Sequence, residues 1–222
     1  MSLPQCEAEG FVLAGGKSSR MGQDKALLPF CGRPLIQNAL EIMDCAGVSS
    51  RIAGARSDLS QFGPVVPDVA EESGLGPLAG ICAALSACAS RFAVFLPVDV
   101  PFIPASLVGY LVHHAVVTEA VVTVVSVAGF VPSFPAVIDR AARALLNASL
   151  HSGDRSCLKA FRAAGSALAG GFSVLPVEVL AQPGQVAHPR GLHPSQWFLN
   201  MNLPADLEQL NELTKGTGRI DC

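Results

Sequence analysis

Gly10-Phe11-Val12-Leu13-Ala14-Gly15-Gly16-Lys17-Ser18-Ser19-Arg20-Met21-Gly22-Gln23-Asp24-Lys25 joins a short apolar run to a loop of glycines and bases. The run, Gly10 to Leu13, reads as a strand. Gly15, Gly16 and Gly22 reach φ > 0 without a Cβ penalty, so backbone N–H groups can converge there on an anion. Lys17, Arg20 and Lys25 add positive charge matched to a triphosphate. A strand that opens into such a loop begins an α/β fold, whose ligands sit beyond the carboxyl ends of the strands. The spacing excludes the commoner phosphate loops. Five residues separate Gly16 from Gly22, and Gln23 stands where a Walker loop has its lysine. No G-x-G-x-x-G follows the strand.

Outward from this loop, strands and helices alternate. Pro34 to Ala46 has a helical pattern, with proline suited to the first turn and Gly47 to the stop. Arg51 to Ala55 and Val65 to Val69 read as short strands, and Pro77 to Ala89 as a helix. Phe92 to Val98 is an apolar, β-prone run of the kind buried on both faces of a parallel sheet. Pro104 to His114 is the next expected helix and Ala120 to Val127 another central strand. Beyond residue 130 the expected order is a strand (Ser133 to Ile138), two helices (Arg140 to Leu150, Ser156 to Ala164) and a strand (Phe172 to Leu175). A loop from Gln182 to Ser195 follows, then a short strand (Trp197 to Asn200) and a helix (Pro204 to Leu213). The pattern predicts one α/β domain over residues 1–222. It is a three-layer α/β/α sandwich of Rossmann-like type with a mostly parallel sheet.

Composition narrows the function. The chain has 222 residues, half of them hydrophobic and 15% charged, which excludes a disordered tail. A net charge of -3, with no long basic run, argues against a nucleic-acid surface. Seven cysteines, an odd number without a C-x-x-C pair, fit reduced thiols in a cytoplasmic protein better than a disulfide framework. Met1 to Glu9 lacks the pattern of a signal peptide. The most apolar stretch, Ala115 to Val131, is too short and too β-branched to span a membrane.

Three further constellations lie near strand ends. Leu96-Pro97-Val98-Asp99-Val100-Pro101 closes the buried strand with one carboxylate. Mg²⁺ prefers one or two carboxylates plus phosphate oxygens, so Asp99 suits a metal–triphosphate; alternatively it caps the next helix. Ser73-Gly74-Leu75-Gly76-Pro77-Leu78-Ala79-Gly80 is a glycine-rich turn opening a helix, either a seat for a flat base or a tight packing turn. In Asn200-Met201-Asn202 the two amides alternate, so one at most faces a site. Asn202 offers a neutral oxygen to a metal or an N-cap to the Pro204 helix. Arg140, Arg143, Arg155, Lys159 and Arg162 read as the solvated faces of two helices or as an anion site. His188 and His193 lack metal-ligand spacing and read as surface residues.

Leu13 to Lys25, with its continuation Ala26-Leu27-Leu28-Pro29-Phe30 and Gly32-Arg33-Pro34-Leu35-Ile36, resembles the signature of the sugar-nucleotide-like nucleotidyltransferases. Within that superfamily the Leu-Ala-Gly-Gly start and the Asp24-Lys25 pair most resemble the molybdenum cofactor guanylyltransferases. The resemblance implies transfer of GMP from GTP to the phosphate of molybdopterin or molybdenum-molybdopterin, with molybdoenzyme maturation proteins as further partners. It implies catalytic roles for Lys25, Arg20 and Asp99, with Mg²⁺ as cofactor on Asp99; Asn202, in a segment that resembles the family's Asn-x-Asn-x-Pro, is the second candidate ligand beside its N-cap reading. It implies nucleotide contacts from Leu13, Ala14, Gly15, Gly16, Lys25, Asp68, Gly76, Pro77, Leu78 and Asp99, and acceptor contacts from Asn200 and Arg155. Ala53-Gly54 replaces an asparagine common in the family, and Val131 a polar residue before Pro132. Both departures leave base and acceptor selection open. A cytidylyltransferase for the same cofactor, a sugar-phosphate nucleotidyltransferase and a non-catalytic nucleotide-binding partner are the alternatives. The Gly15-Gly16 start favours guanine over the Leu-Ala-Ala-Gly start of the cytidylyl enzymes.

Overall fold

The computed structural model describes residues 7–14, 24–54, 57–67, 75–153 and 155–201. Its core is a seven-stranded sheet built from β1 (Ala8–Leu13), β4 (Ser50–Ala53), β5 (Val65–Val66), β6 (Phe92–Pro97), β7 (Val122–Ser126), β8 (Ala136–Asp139) and β9 (Phe172–Pro176). A two-stranded hairpin, β2 (Pro29–Phe30) with β3 (Arg33–Pro34), stands apart from it. The sheet order is β5-β4-β1-β6-β8-β7-β9. β8 runs antiparallel to both of its neighbours, and the other pairings are parallel. The mostly parallel α/β architecture expected from the sequence is the one observed.

Alternation along β6 explains why its apolar run needs cover on both sides. Phe92, Val94 and Leu96 enter one core with α1 (Leu35–Cys45), α3 (Ala105–Thr118) and α6 (Val177–Ala181). Ala93 and Phe95 enter a second core with α2 (Pro77–Ala87), α4 (Arg143–His151) and α5 (Cys157–Ala167). Side chains of a strand point alternately to opposite faces, so a strand with no polar positions is stable only between two helical layers. α1 starts after Pro34 and stops where Gly47 takes φ 73°, as proline and glycine at those positions require.

Three elements depart from the sequence expectation. The hairpin β2–β3, which takes up Pro34 at the start of the expected helix, and the five-residue α6 are elements the sequence pattern does not predict. Trp197 to Asn200 is not a strand, because Trp197 follows a 3₁₀ turn (Pro194–Gln196) and its indole N–H donates to the Leu192 carbonyl at 2.8 Å. The helix expected from Pro204 lies outside the described residues. Cys31, Cys88 and Cys157 are free thiols, and burial pushes Cys88 and Cys157 up to about 11, which leaves them as small hydrophobes. Cys45 is disulfide-bonded, a departure from the wholly reduced set expected from the spacing. No described helix is long and apolar enough to cross a membrane.

Candidate active site

The carboxyl ends of four parallel strands meet along one edge. Ala14 N–H donates to the Ala53 carbonyl, Gly54 N–H to Val66 and Val98 N–H to Leu13, at 3.1, 3.1 and 3.3 Å. Ligands of open parallel sheets bind at such an edge. Leu13 and Ala14, both buried, deliver the chain there. Gly15, Gly16, Lys17, Arg20 and Gly22 lie outside the described residues, as do Asp68 and Asn202.

The chain re-enters at Asp24, whose Oδ1 accepts from Ala26 N–H at 3.0 Å and caps the 3₁₀ turn Lys25–Leu27. A short acidic side chain at this position satisfies an otherwise orphaned N–H and fixes where the turn begins. The next residue, Lys25, places Nζ 3.3 Å from Oδ2 of Asp99. These two are 74 positions apart in sequence and are brought together by the pairing of β1 with β6. Each side chain keeps about a quarter of its surface exposed (26% for both), so the pair stays open to a ligand.

Asp99 does not cap the following helix. α3 begins at Ala105 with Pro104 at the N-cap position and no side-chain cap bond. The carboxylate is instead held at the sheet edge, and its turn is tied from two further directions. Asn38 of α1, buried to 4% exposure, donates Nδ2–H to the Pro101 carbonyl at 3.1 Å. Met201 N–H donates to the Asp99 carbonyl at 2.8 Å. The segment from α6 to Met201 therefore acts as a strap that returns to the strand end carrying the carboxylate.

Gly76 opens α2 with φ 93° and ψ -174°, a conformation that only glycine adopts readily. It and Pro77 are exposed, whereas Leu78 is fully buried in the core, so Leu78 can meet a ligand only through its backbone. Arg155 and Asn200 are exposed. Two of the remaining bases are engaged in structure. Arg140 donates to the Cys88 carbonyl at 3.1 Å, and the Arg162 guanidinium lies over the Phe172 ring.

His188 corrects the sequence expectation. It is half-buried between Phe102 and Trp197, and burial together with the Arg190 charge pushes its pKa down to about 4. His193 is exposed, as expected. Asn38 and Met201 were not recognisable as site residues, although an asparagine on an otherwise apolar helix face was a signal that could have been followed. Among the described residues no group of three or more His, Cys, Asp or Glu side chains is arranged to hold a metal. A cation at Asp99 would draw further ligands from phosphate oxygens, which is the donor set Mg²⁺ accepts.

A model of the MobA-like NTP transferase domain matches residues 10–167. The chain belongs to this family. Two molybdenum cofactor guanylyltransferases are similar to this family member over part of their length. That of Xanthomonas euvesicatoria pv. vesicatoria is 42% identical over 116 residues, 50% of this chain and 58% of its own. That of Rhodobacter capsulatus is 43% identical over 112 residues, 48% of this chain and 58% of its own. The match thus spans less than two thirds of these relatives. In fold, the chain resembles the crystal structure of molybdopterin-guanine dinucleotide biosynthesis protein A from Archaeoglobus fulgidus. The TM-score is 0.75 at 20% identity, covering 94% of this chain and 100% of that one.

Proposed function

We propose that the protein is a single-domain nucleotidyltransferase that moves GMP from GTP to the phosphate of molybdopterin, with or without its molybdenum, and releases pyrophosphate. The observation that carries this reading is the Lys25–Asp99 pair at the carboxyl edge of the sheet, with Lys25 three residues past Gly22 in sequence. An ammonium next to a carboxylate supplies the two charges that a metal-bound triphosphate needs. The similarity to named guanylyltransferases supports GTP as donor and molybdopterin as acceptor.

In this reading an oxygen of the acceptor phosphate attacks the α-phosphorus of GTP, and the bond to pyrophosphate breaks. The acceptor already carries an anionic oxygen, so no protein nucleophile is required. Catalysis rests on placement and charge stabilisation. Lys25 and Arg20 neutralise the triphosphate, and the glycine loop that follows Leu13 and Ala14 holds it. Asp99, with Asn202, holds Mg²⁺, which supplies charge neutralisation and Lewis acidity at the phosphate when bound. The Gly76-Pro77-Leu78 turn, at the start of the helix α2 that packs on β4 and β5, receives the ribose and base together with Asp68. That leaves the β8–β7–β9 side for the acceptor. Arg155 belongs there, since α5 leads from this edge down to the start of β9, and Asn200 approaches along the strap. We assign the reaction to the cytoplasm and its product to molybdoenzyme maturation proteins.

The test is a thermal-shift series with GTP, CTP, ATP and UTP in Mg²⁺, followed by pyrophosphate release on adding molybdopterin. GTP should raise the melting temperature most, because a ligand bound only to the folded state stabilises by mass action. Pyrophosphate should then appear only with the acceptor present. A larger shift with CTP would move the assignment to the cytidylyl reaction. Binding without release under all conditions would reduce the protein to a nucleotide carrier.

A further inference from the structure

Four aromatic rings link the segments that carry Lys25 and Asp99 to the strap. Phe30, on β2 and five residues past Lys25, meets Phe102 edge-on with ring centroids 5.4 Å apart. Phe102, three residues past Asp99, meets His188 at 6.1 Å and 64°. His188 lies 6.5 Å from Trp197 at 31°, and Trp197 stands four residues before Met201, whose N–H binds the Asp99 carbonyl. Phe30, Phe102 and Trp197 are each at most 2% exposed. Such offset and edge-on contacts between rings are attractive and directional.

The strap is fixed where it enters this stack. Ser106, in the first turn of α3, donates Oγ–H to the Ala187 carbonyl at 2.9 Å and accepts Ala187 N–H at 3.2 Å. His188 Nδ1 accepts Arg190 N–H at 3.1 Å, so the ring proton sits on Nε2 and the ring is neutral. A cavity of about 180 Å³ adjoins the imidazole, walled by Ile42, Pro101, Ile103, Pro104 and Pro189 among others. The Asp99 turn thus has open space on one side, and the ring stack limits its movement from another.

We propose that His188 is a positioning residue, holding the turn that bears Asp99 in register with Lys25 through the Phe30–Phe102–His188–Trp197 stack. The inference rests on the reading of Lys25 and Asp99 as the groups that act on the metal–triphosphate. Truncating the imidazole enlarges a space that already exists, so Phe102 and the turn can shift. A displacement of about 1 Å at reacting groups is enough to cost on the order of 100-fold in rate.

The experiment compares His188→Ala and His188→Phe in pyrophosphate release from GTP and molybdopterin, well below the melting temperature. For His188→Ala, kcat should fall on the order of tenfold and half-saturating Mg²⁺ should rise severalfold. Its KM for molybdopterin should stay within about twofold. His188→Phe keeps a ring in the stack but cannot accept the Arg190 N–H, and should return kcat and Mg²⁺ dependence to within about twofold of the parent. Wild-type kcat and Mg²⁺ dependence in His188→Ala, whatever its melting temperature, would overturn the proposal, as would a phenylalanine variant no better than alanine. If His188→Ala does not fold, Phe102→Leu tests the same link and should show the same Mg²⁺ signature; normal Mg²⁺ dependence there overturns it equally. Lys25→Ala and Asp99→Asn run alongside. If these two retain turnover, the underlying reading fails; if they lose it while His188→Ala does not, only the role of the stack fails.

Discussion

Lys25 and Asp99 meet at 3.3 Å with a quarter of each side chain in solvent, and at such exposure an ion pair contributes at most about 1 kcal/mol to stability. Their juxtaposition therefore matters to ligands more than to folding. Lys25→Ala should shift the melting temperature of the free protein by no more than a degree or two, yet weaken GTP binding and lower turnover at least ~100-fold. Lys25→Arg should restore binding but only part of the rate, since a planar guanidinium differs in reach and shape from an ammonium. Equal turnover in the parent and Lys25→Ala would remove the lysine from the mechanism. His188 makes a separate prediction about pH. Its pKa falls from 6.5 to about 4 on folding through burial, with the Arg190 charge adding to the shift. Between those values the unfolded chain binds more protons than the folded one, so stability rises with pH through this window and is lost as pH falls from 6.5 toward 4. Allowing for partial exposure, the loss is on the order of 2 kcal/mol. Denaturant midpoints of the parent should drop across that range, and those of His188→Phe should drop less.

Gly165 marks where α5 crosses β9. A Cβ there would lie 2.7 Å from Phe172 Cβ and 2.9 Å from its backbone nitrogen. Alanine gains about 1 kcal/mol of helix propensity over glycine, while overpacking against backbone costs about 1–3 kcal/mol. The clash should win, and Gly165→Ala should melt several degrees lower. The turn between β7 and β8 gives the opposite case. Val127 and Phe130 exchange backbone hydrogen bonds at 2.8 and 2.9 Å, with Ala128 at φ 47° and Gly129 at φ 78°. A non-glycine residue in the left-handed region is strained by about 1 kcal/mol, so Ala128→Gly should raise the melting temperature. Elements of this kind also show what the sequence made legible. Strands and helices with strong periodicity, such as β1, α1, α2, β6, β7 and α5, stand near their expected bounds, because proline starts, glycine stops and unbroken apolar runs are local signals. α6 was not visible, since Val177–Ala181 is too short to separate a helix from a strand by periodicity. The strand expected at Trp197 to Asn200 failed for a different reason. Trp197 is buried by ring contacts with a histidine nine residues earlier, a tertiary effect that its neighbours do not announce. Asp99, at a strand end, and Lys25, closing the glycine loop, were legible as candidates, whereas Asn38 and His188 meet partners more than sixty residues away in sequence.

At the level of the whole molecule, the family match over residues 10–167 ends before β9, α6 and the strap. The strand end bearing Asp99 is thus secured by a segment lying beyond the matched region, through Ser106, Phe102 and the Asp99 carbonyl. That segment also contains the chain's single tryptophan, buried to 1% exposure. Its light emission is therefore a report from one place. Excited at its red edge, where tyrosine is silent, the protein should fluoresce from an indole sealed in an apolar niche, with a blue-shifted maximum. Addition of GTP and Mg²⁺ should change that spectrum if the turn at Asp99 moves when substrate arrives, and leave it unaltered if the turn is rigid. Acid should dim the emission near pH 4, when the neighbouring imidazole takes up its proton. The protein carries its own optical gauge of the ground on which its candidate carboxylate stands.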